Sequence, residues 1–300
     1  MLETPPPVRS RGRRWRRRLA FGMSLAAFVY LGILLMLMAF ENRLLYAFRD
    51  TDYWVAAQDT RVQDVELRTA AGVPIHAWWC PTSPGDTTSD VLLYCHGNGG
   101  NLSRRSDAIS LLQKELHTEV LIFDYPGYGR SGGVPTEAGC YAAADAAYDW
   151  LVKLQGVPPT RIVIYGESLG GGVAVDLASR RAHRALVLDS TFTSIPDMAQ
   201  HQYPWLPARW LVRNRFNNLA KIGSCRGPIF IVHGMADTLV PLAQAEQLFA
   251  AAQEPKEFLA LPGSGHCQSL RPEFFTRLRG FLKETARPRI PLAPVPGGSS

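Results

Sequence analysis

Residues 162–172 read IVIYGESLGGG. Ile162, Val163, Ile164 and Tyr165 form an unbroken apolar run, the pattern of a strand buried on both faces. It ends in Gly166-Glu167-Ser168-Leu169-Gly170, and the residues from 169 to 181 read as a helix. A serine fenced by glycines at such a turn has two readings. Either the turn merely contains a serine, or it exists to lift that hydroxyl out of the fold. The residues elsewhere in the chain decide between them.

Working outward, the same punctuation recurs. VQDVELRTAAGVPIHAWWC (62–80) alternates apolar and polar residues on both sides of Ala70-Ala71-Gly72, which predicts an antiparallel hairpin. SPGDTTSD (83–90) is a turn-rich loop. VLLYC (91–95), VLIFD (120–124), RIVIY (161–165), ALVLD (185–189), PIFIVHG (228–234) and EFLAL (257–261) are apolar strand candidates. Helical stretches separate most of them, at 104–116, 136–154, 169–181, 243–252 and 273–285. Thr136 is placed to cap the second of these, with Pro135 before it. Continuous apolar strands alternating with helices predict an α/β fold, a mostly parallel sheet covered on both faces. Residues 191–222 break the rhythm with YPWLPARWLVRNRF and read as a small cap. The Pro/Gly-rich tail 287–300 reads as disordered.

In parallel sheets, functional groups collect at the carboxyl ends of the strands. HGNGGN (96–101) follows one strand and Ser168 the next. Asp237 closes GMAD after the strand at 228–233, and His266 closes PGSGH after 257–261. The order Ser, Asp, His is the chain order of an α/β-hydrolase. GESLG, HGNGGN, DYPGYGRSGG (124–133), HGMAD and GSGH together resemble the α/β-hydrolase superfamily. With FENRLLY (40–46), they resemble its membrane-anchored serine-hydrolase branch, which is similar to serine aminopeptidase and lysophospholipase-like domains. The resemblance covers about residues 40–285. It implies hydrolysis of an ester, thioester or amide through an acyl-enzyme on Ser168. A serine peptidase and a catalytically silent hydrolase-fold binding module remain the alternatives.

The chemistry stands without the family. A serine hydroxyl is a weak nucleophile and needs a base in contact. His266 takes that role, and Asp237 fixes the imidazole tautomer and stabilises the imidazolium. Asp189 also ends a strand and competes with Asp237 for the acid's place. Ser168 precedes a helix, whose N-terminus offers free N–H groups to an oxyanion, so the backbone N–H of Leu169 is one expected donor. The resemblance selects the backbone N–H of Asn98 as the other. The third position of many lipase oxyanion loops is glycine, and here it is Asn98, so lipase activity is not carried over. His96 reads as a loop-shaping residue, Asp124 and Arg130 as supports of the DYPGYGRSGG loop, and Cys267 as packed. Asn101-Leu102-Ser103 matches a glycosylation acceptor but falls in the oxyanion loop, where burial is expected.

Residues 1–18 hold seven arginines and one acid, Glu3, which account for the whole net charge of +6. The rest of the chain is neutral, so no nucleic-acid partner is expected. Residues 19–40 follow without a charge and at about 1.5 Å per residue reach roughly 33 Å, enough for a bilayer core. They are too long for a signal-peptide apolar region and lack a convincing cleavage site. The expectation is a cytoplasmic arm (1–18), a transmembrane anchor (19–40), a connector (41–60) and a hydrolase domain (61–286). The positive-inside bias puts that domain on the non-cytoplasmic side, periplasmic if the host is bacterial. The five cysteines, Cys80, Cys95, Cys140, Cys225 and Cys267, show no metal-ligand spacing. Neither metal nor cofactor is expected. The expected partners are a small-molecule or lipid acyl substrate and the membrane.

Overall fold

The computed structural model describes residues 11–49, 52–57, 59, 61–82 and 90–286. The start of the basic arm (1–10), most of the loop at 83–90 and the tail at 287–300 lie outside the described residues. The first element is a helix, α1 (Arg11–Leu45). Within it Arg14–Leu45 is long and apolar enough to cross a membrane, by length and composition, and only 6% of its most apolar window is buried. The helix continues five residues past the expected end of the anchor. The connector is therefore not loose: Glu41 is 8% exposed and Tyr46 fully buried.

The hairpin forms as the alternation predicts, from β1 (Gln63–Arg68) and β2 (Pro74–Cys80). The chain then runs through β3 (Val91–Cys95), α2 (Ser106–Leu116), β4 (Glu119–Phe123) and α3 (Glu137–Asp149). β5 (Ile162–Glu167), α4 (Leu169–Arg180) and β6 (Ala185–Asp189) follow. The insertion holds α5 (Ile195–Gln202), α6 (Ala208–Leu211) and α7 (Asn218–Ile222). β7 (Ile229–Gly234), α8 (Leu242–Ala251), β8 (Lys256–Leu261) and α9 (Pro272–Glu284) close the domain. Thr136 caps α3 as expected, its side chain accepting the Gly139 N–H at 3.0 Å.

The eight strands form one sheet in the order β1-β2-β4-β3-β5-β6-β7-β8. The hairpin is antiparallel, β2 is antiparallel to β4, and every later pairing is parallel. Side chains alternate between two cores. Leu93, Cys95, Ile162 and Ile164 face the layer of α3, α4 and α8, whereas Leu92, Tyr94, Val163 and Tyr165 face α2 and α9. The central strands are buried along their whole length because helices cover both faces. β8, at the edge, is only partly buried and carries Lys256, a charge that discourages further strand pairing. Register brings Cys95 opposite Gly166, and Glu167 opposite Asp189. The carboxyl ends of β3, β5 and β6 thus lie side by side, with the insertion rising after β6.

Candidate active site

The turn at Ser168 is tight because three backbones meet there. A Cβ on Gly170 would sit 1.9 Å from the Cys95 carbonyl oxygen, and one on Gly166 2.6 Å from the Ala174 Cβ. Only glycine lets α4 approach β3 and β5 this closely. Ser168 itself adopts φ 51°, ψ −115°, a conformation that costs a residue with a side chain about 1–3 kcal/mol. Neighbouring bonds hold it there. The Ser168 N–H donates to the Asp189 carbonyl, and its own carbonyl accepts from Thr191 Oγ1 and the Gly171 N–H, each at 2.9 Å.

The strand-end residues converge on this hydroxyl. His266 Nε2 lies 2.9 Å from Ser168 Oγ, and His266 Nδ1 lies 2.7 Å from Asp237 Oδ2. Asp237 Oδ1 accepts the N–H groups of Leu239 and Val240, both at 2.9 Å. Burial pushes the Asp237 carboxyl up, but bonds from His266 and from these backbone N–H groups outweigh it and hold it below its ordinary value. An ionised Asp237 fixes the proton on His266 Nδ1 and leaves Nε2 free to accept the serine proton. His233, which the sequence reading placed in a strand, also reaches this corner. Burial lowers its pKa, and in its neutral form Nε2–H donates to the Val240 carbonyl at 2.9 Å. It braces the loop that carries Asp237.

Asp189, the competing acid, does not face the imidazole. It accepts hydrogen bonds from Tyr165 Oη at 2.8 Å, from Ser190 Oγ at 2.9 Å and from Ser269 Oγ. Burial raises its pKa to about 6; the Ser269 bond opposes the rise, and the charge of Glu167 adds to it. Glu167 accepts from Tyr94 Oη and pairs with Arg105 at 3.2 Å. Ser190 Oγ in turn accepts the Cys267 N–H at 3.1 Å, which ties the loop of His266 to this buried network. Cys267 is packed rather than exposed, and burial raises its thiol well above the usual range. All five cysteines are free thiols.

Leu169 is the first residue of α4, so its N–H has no acceptor inside the helix. Asn98 lies in the loop after β3, and its side chain is pinned at both ends. Nδ2 donates to the Leu45 carbonyl and Oδ1 accepts from Tyr128 Oη, each at 2.6 Å. The Gly100 N–H donates to the Phe48 carbonyl at 2.9 Å. The exit from α1 therefore threads directly into the loop. Asn101 and Ser103 are buried, with Asn101 Oδ1 accepting from Ser103. Asp124 accepts the Leu102 N–H at 2.8 Å, and Arg130 stacks on Trp54 at 4.0 Å. His96 is buried, its Nε2 3.3 Å from Asp124. A cavity of about 360 Å³ lined by Asp59, Arg61 and His117 lies at the amino ends of the strands, at the opposite edge of the sheet from Ser168. Among the described residues, no cluster of His, Cys, Asp and Glu could hold a metal ion.

The comparisons agree with this architecture. A family model described as the alpha/beta hydrolase fold matches residues 90–220. The uncharacterized protein Rv2307c of Mycobacterium tuberculosis is 36% identical over 272 residues, 88% of this chain and 95% of the relative. Among solved structures, the Pyrococcus furiosus esterase Pf2001 superposes with a TM-score of 0.63 at 24% identity, covering 79% of this chain and 100% of its own. A puromycin-hydrolyzing peptidase of Mycobacterium tuberculosis gives a TM-score of 0.63 at 20% identity, over 79% of this chain and 41% of its own. Sheet order, the tight glycine-flanked turn at Ser168 and the family match converge, and the chain belongs to the alpha/beta hydrolase family.

Proposed function

We propose that the protein is a membrane-anchored serine hydrolase that cleaves an ester, thioester or amide through an acyl-enzyme on Ser168. The observation that carries this reading is the unbroken line from Asp237 through His266 to Ser168, at 2.7 and 2.9 Å, on a strained turn. Ser168 Oγ attacks the substrate carbonyl carbon as His266 Nε2 takes its proton. The carbonyl electron pair moves onto oxygen, and the N–H groups of Leu169 and Asn98 bind that oxyanion. One such donor is worth roughly 3 kcal/mol in the transition state. The tetrahedral species collapses, the acyl–leaving-group bond breaks, and His266 returns the proton to the leaving group. Water, deprotonated by His266, then attacks the acyl-enzyme and releases the acid.

α1 supplies the anchor in this reading, since a helix this apolar and this exposed needs a lipid environment. Labelling with a fluorophosphonate probe tests the nucleophile. The full chain labels stoichiometrically and Ser168→Ala does not label, while both melt at the same temperature. Stoichiometric labelling of the alanine variant at another residue defeats the assignment. An acyl panel containing ester, thioester and amide of the same chain then identifies the bond class by relative kcat/KM.

A further inference from the structure

The cap touches α1 far from the point where the helix enters the domain. Tyr30 Oη donates to the Trp205 carbonyl at 3.0 Å, and the two rings meet edge-on at 6.4 Å. Nearer the domain, Arg213 Nη2 donates to the Met38 carbonyl at 2.8 Å, and Arg213 Nε bonds Glu41 at 3.0 Å. The cap therefore runs alongside the helix from Glu41 back to Tyr30. About 20 residues fill a bilayer core, so a span beginning at Leu19 ends near Met38. Tyr30 lies eight residues earlier, about 12 Å deeper at 1.5 Å per residue. Any bilayer that α1 crosses must then contain Trp205.

The composition of the cap fits that depth. Tyr203 (53% exposed), Trp205 (56%) and Trp210 (85%) are its solvent-facing aromatics. Residues 191–222 carry four cations, Arg209, Arg213, Arg215 and Lys221, against one acid, Asp197. Arg213 sits at the level of Met38, where headgroups begin. Exposed aromatics flanked by arginines are the pattern of an interfacial anchor; Arg209, within the tip, pairs with Asp197 at 3.4 Å. Exposed apolar side chains continue from the tip towards the catalytic loop. The ring of Tyr203 meets that of Trp205 at 6.4 Å, and Gln202 Nε2 donates to the Leu239 carbonyl at 3.4 Å. Leu239, itself 47% exposed, donates its N–H to Asp237.

We infer that the cap tip, Tyr203–Trp210, inserts into the leaflet of the bilayer that α1 spans, and that the acyl substrate reaches Ser168 from that leaflet along the face of Tyr203 and Leu239. The inference rests on the reading of α1 as an anchor and of Ser168 as the nucleophile. It goes beyond both by assigning the cap a lipid-facing role and the substrate a membrane-borne acyl chain.

The test uses the full chain in vesicles of phosphatidylcholine and phosphatidylglycerol, with and without lipids brominated at mid-chain. The wild-type minus W205F/W210F difference in tryptophan emission should be quenched by the brominated lipid at least twofold. The same double variant should lose about tenfold in kcat/KM on a long-chain ester dissolved in the vesicles and keep its rate on a water-soluble acetyl ester. Either of two vesicle readouts overturns the proposal: an unquenched difference emission in chains that resist carbonate extraction and label with fluorophosphonate, or equal loss on both esters. A concentration-dependent dimer that shields Trp205 and Trp210 from lipid also overturns it, because a second copy then covers the face. Failure of carbonate resistance counts against the anchor reading instead, and absence of labelling against the nucleophile.

Discussion

Replacing Asp237 by asparagine should remove nearly all turnover while leaving the fold in place. Asp237 Oδ1 accepts two backbone N–H groups, from Leu239 and Val240. An asparagine must turn its carbonyl oxygen to those donors, because its NH₂ cannot accept them. The NH₂ then faces His266 Nδ1, where the carboxylate oxygen stood at 2.7 Å. A donor at that position forces Nδ1 to act as acceptor and moves the ring proton to Nε2. The nitrogen 2.9 Å from Ser168 Oγ would then carry a hydrogen and could not act as a base. The same tautomer reversal in serine proteases lowers kcat about 10⁴-fold, which is about 5.5 kcal/mol of transition-state stabilisation. The stability cost is one charged hydrogen bond, roughly 1.5–3 kcal/mol, because the two loop bonds survive.

The assay is hydrolysis of a chromogenic acyl ester by the wild type, Asp237→Asn and Asp189→Asn, with the fluorophosphonate labelling rate as an independent readout. Asp237→Asn should fall about 10⁴-fold in both. Asp189→Asn should stay within about tenfold, since the Asp189 carboxylate reaches the His266 loop indirectly, through Ser269 and through Ser190 and the Cys267 N–H. An inactive Asp189 variant beside an active Asp237 variant would refute the reasoning. So would retention of a tenth or more of the activity by Asp237→Asn.

Three further outcomes are expected. The Asp189 carboxyl is raised from 3.8 to about 6 in the fold, so the unfolded chain loses this proton first as pH rises. The native state therefore loses stability between those values and carries a constant penalty of about 3 kcal/mol above pH 6. Asp189→Asn should gain melting temperature relative to wild type by roughly 5–10 °C between pH 4 and pH 7, and thermal melts showing a pH-independent difference would contradict this. Asn98→Ala frees the loop from Leu45 and from Tyr128, and should lower kcat about tenfold or more with little change in KM; steady-state kinetics in which KM alone rises would place Asn98 in substrate binding instead. For topology, seven arginines precede the uncharged span 19–40, and a reporter fused after residue 60 should be active only in a form that works outside the cytoplasm. An active cytoplasmic reporter at that fusion point reverses the orientation.

Much of this architecture could be read from strand ends, because a parallel sheet forces residues that follow separate apolar runs to the same edge. Ser168, Asp237 and His266 are 69 and 29 residues apart in sequence yet each lies within five residues of the end of β5, β7 or β8. What stayed hidden are contacts that no period encodes. Glu41 with Asn214, and Tyr30 with Trp205, join positions more than 170 residues apart. In the sequence, Glu41 was one acid after an apolar span; in the fold it accepts the N–H groups of Arg213 and Asn214. Its role follows from where the cap returns, and the cap has no regular pattern.

The choice between Asp189 and Asp237 was open in the sequence, although the pleat contains the answer. Side chains two apart on a strand share a face. Val187 faces α2 and α9, and so does Tyr165. Asp189 and Glu167, two residues further on in β6 and β5, must point the same way, towards Tyr94, Arg105 and Ser269. A strand's last residue inherits that direction and cannot turn to a histidine above the sheet edge. Asp237 lies three residues beyond the end of β7, outside the pleat, where the loop can aim its carboxylate at His266. Strand-end acids are thus separable by whether they lie inside or beyond the ladder. By that rule the acid that ends β6 is a buried support of the His266 loop, and the acid in the loop after β7 is the one that hydrogen-bonds His266.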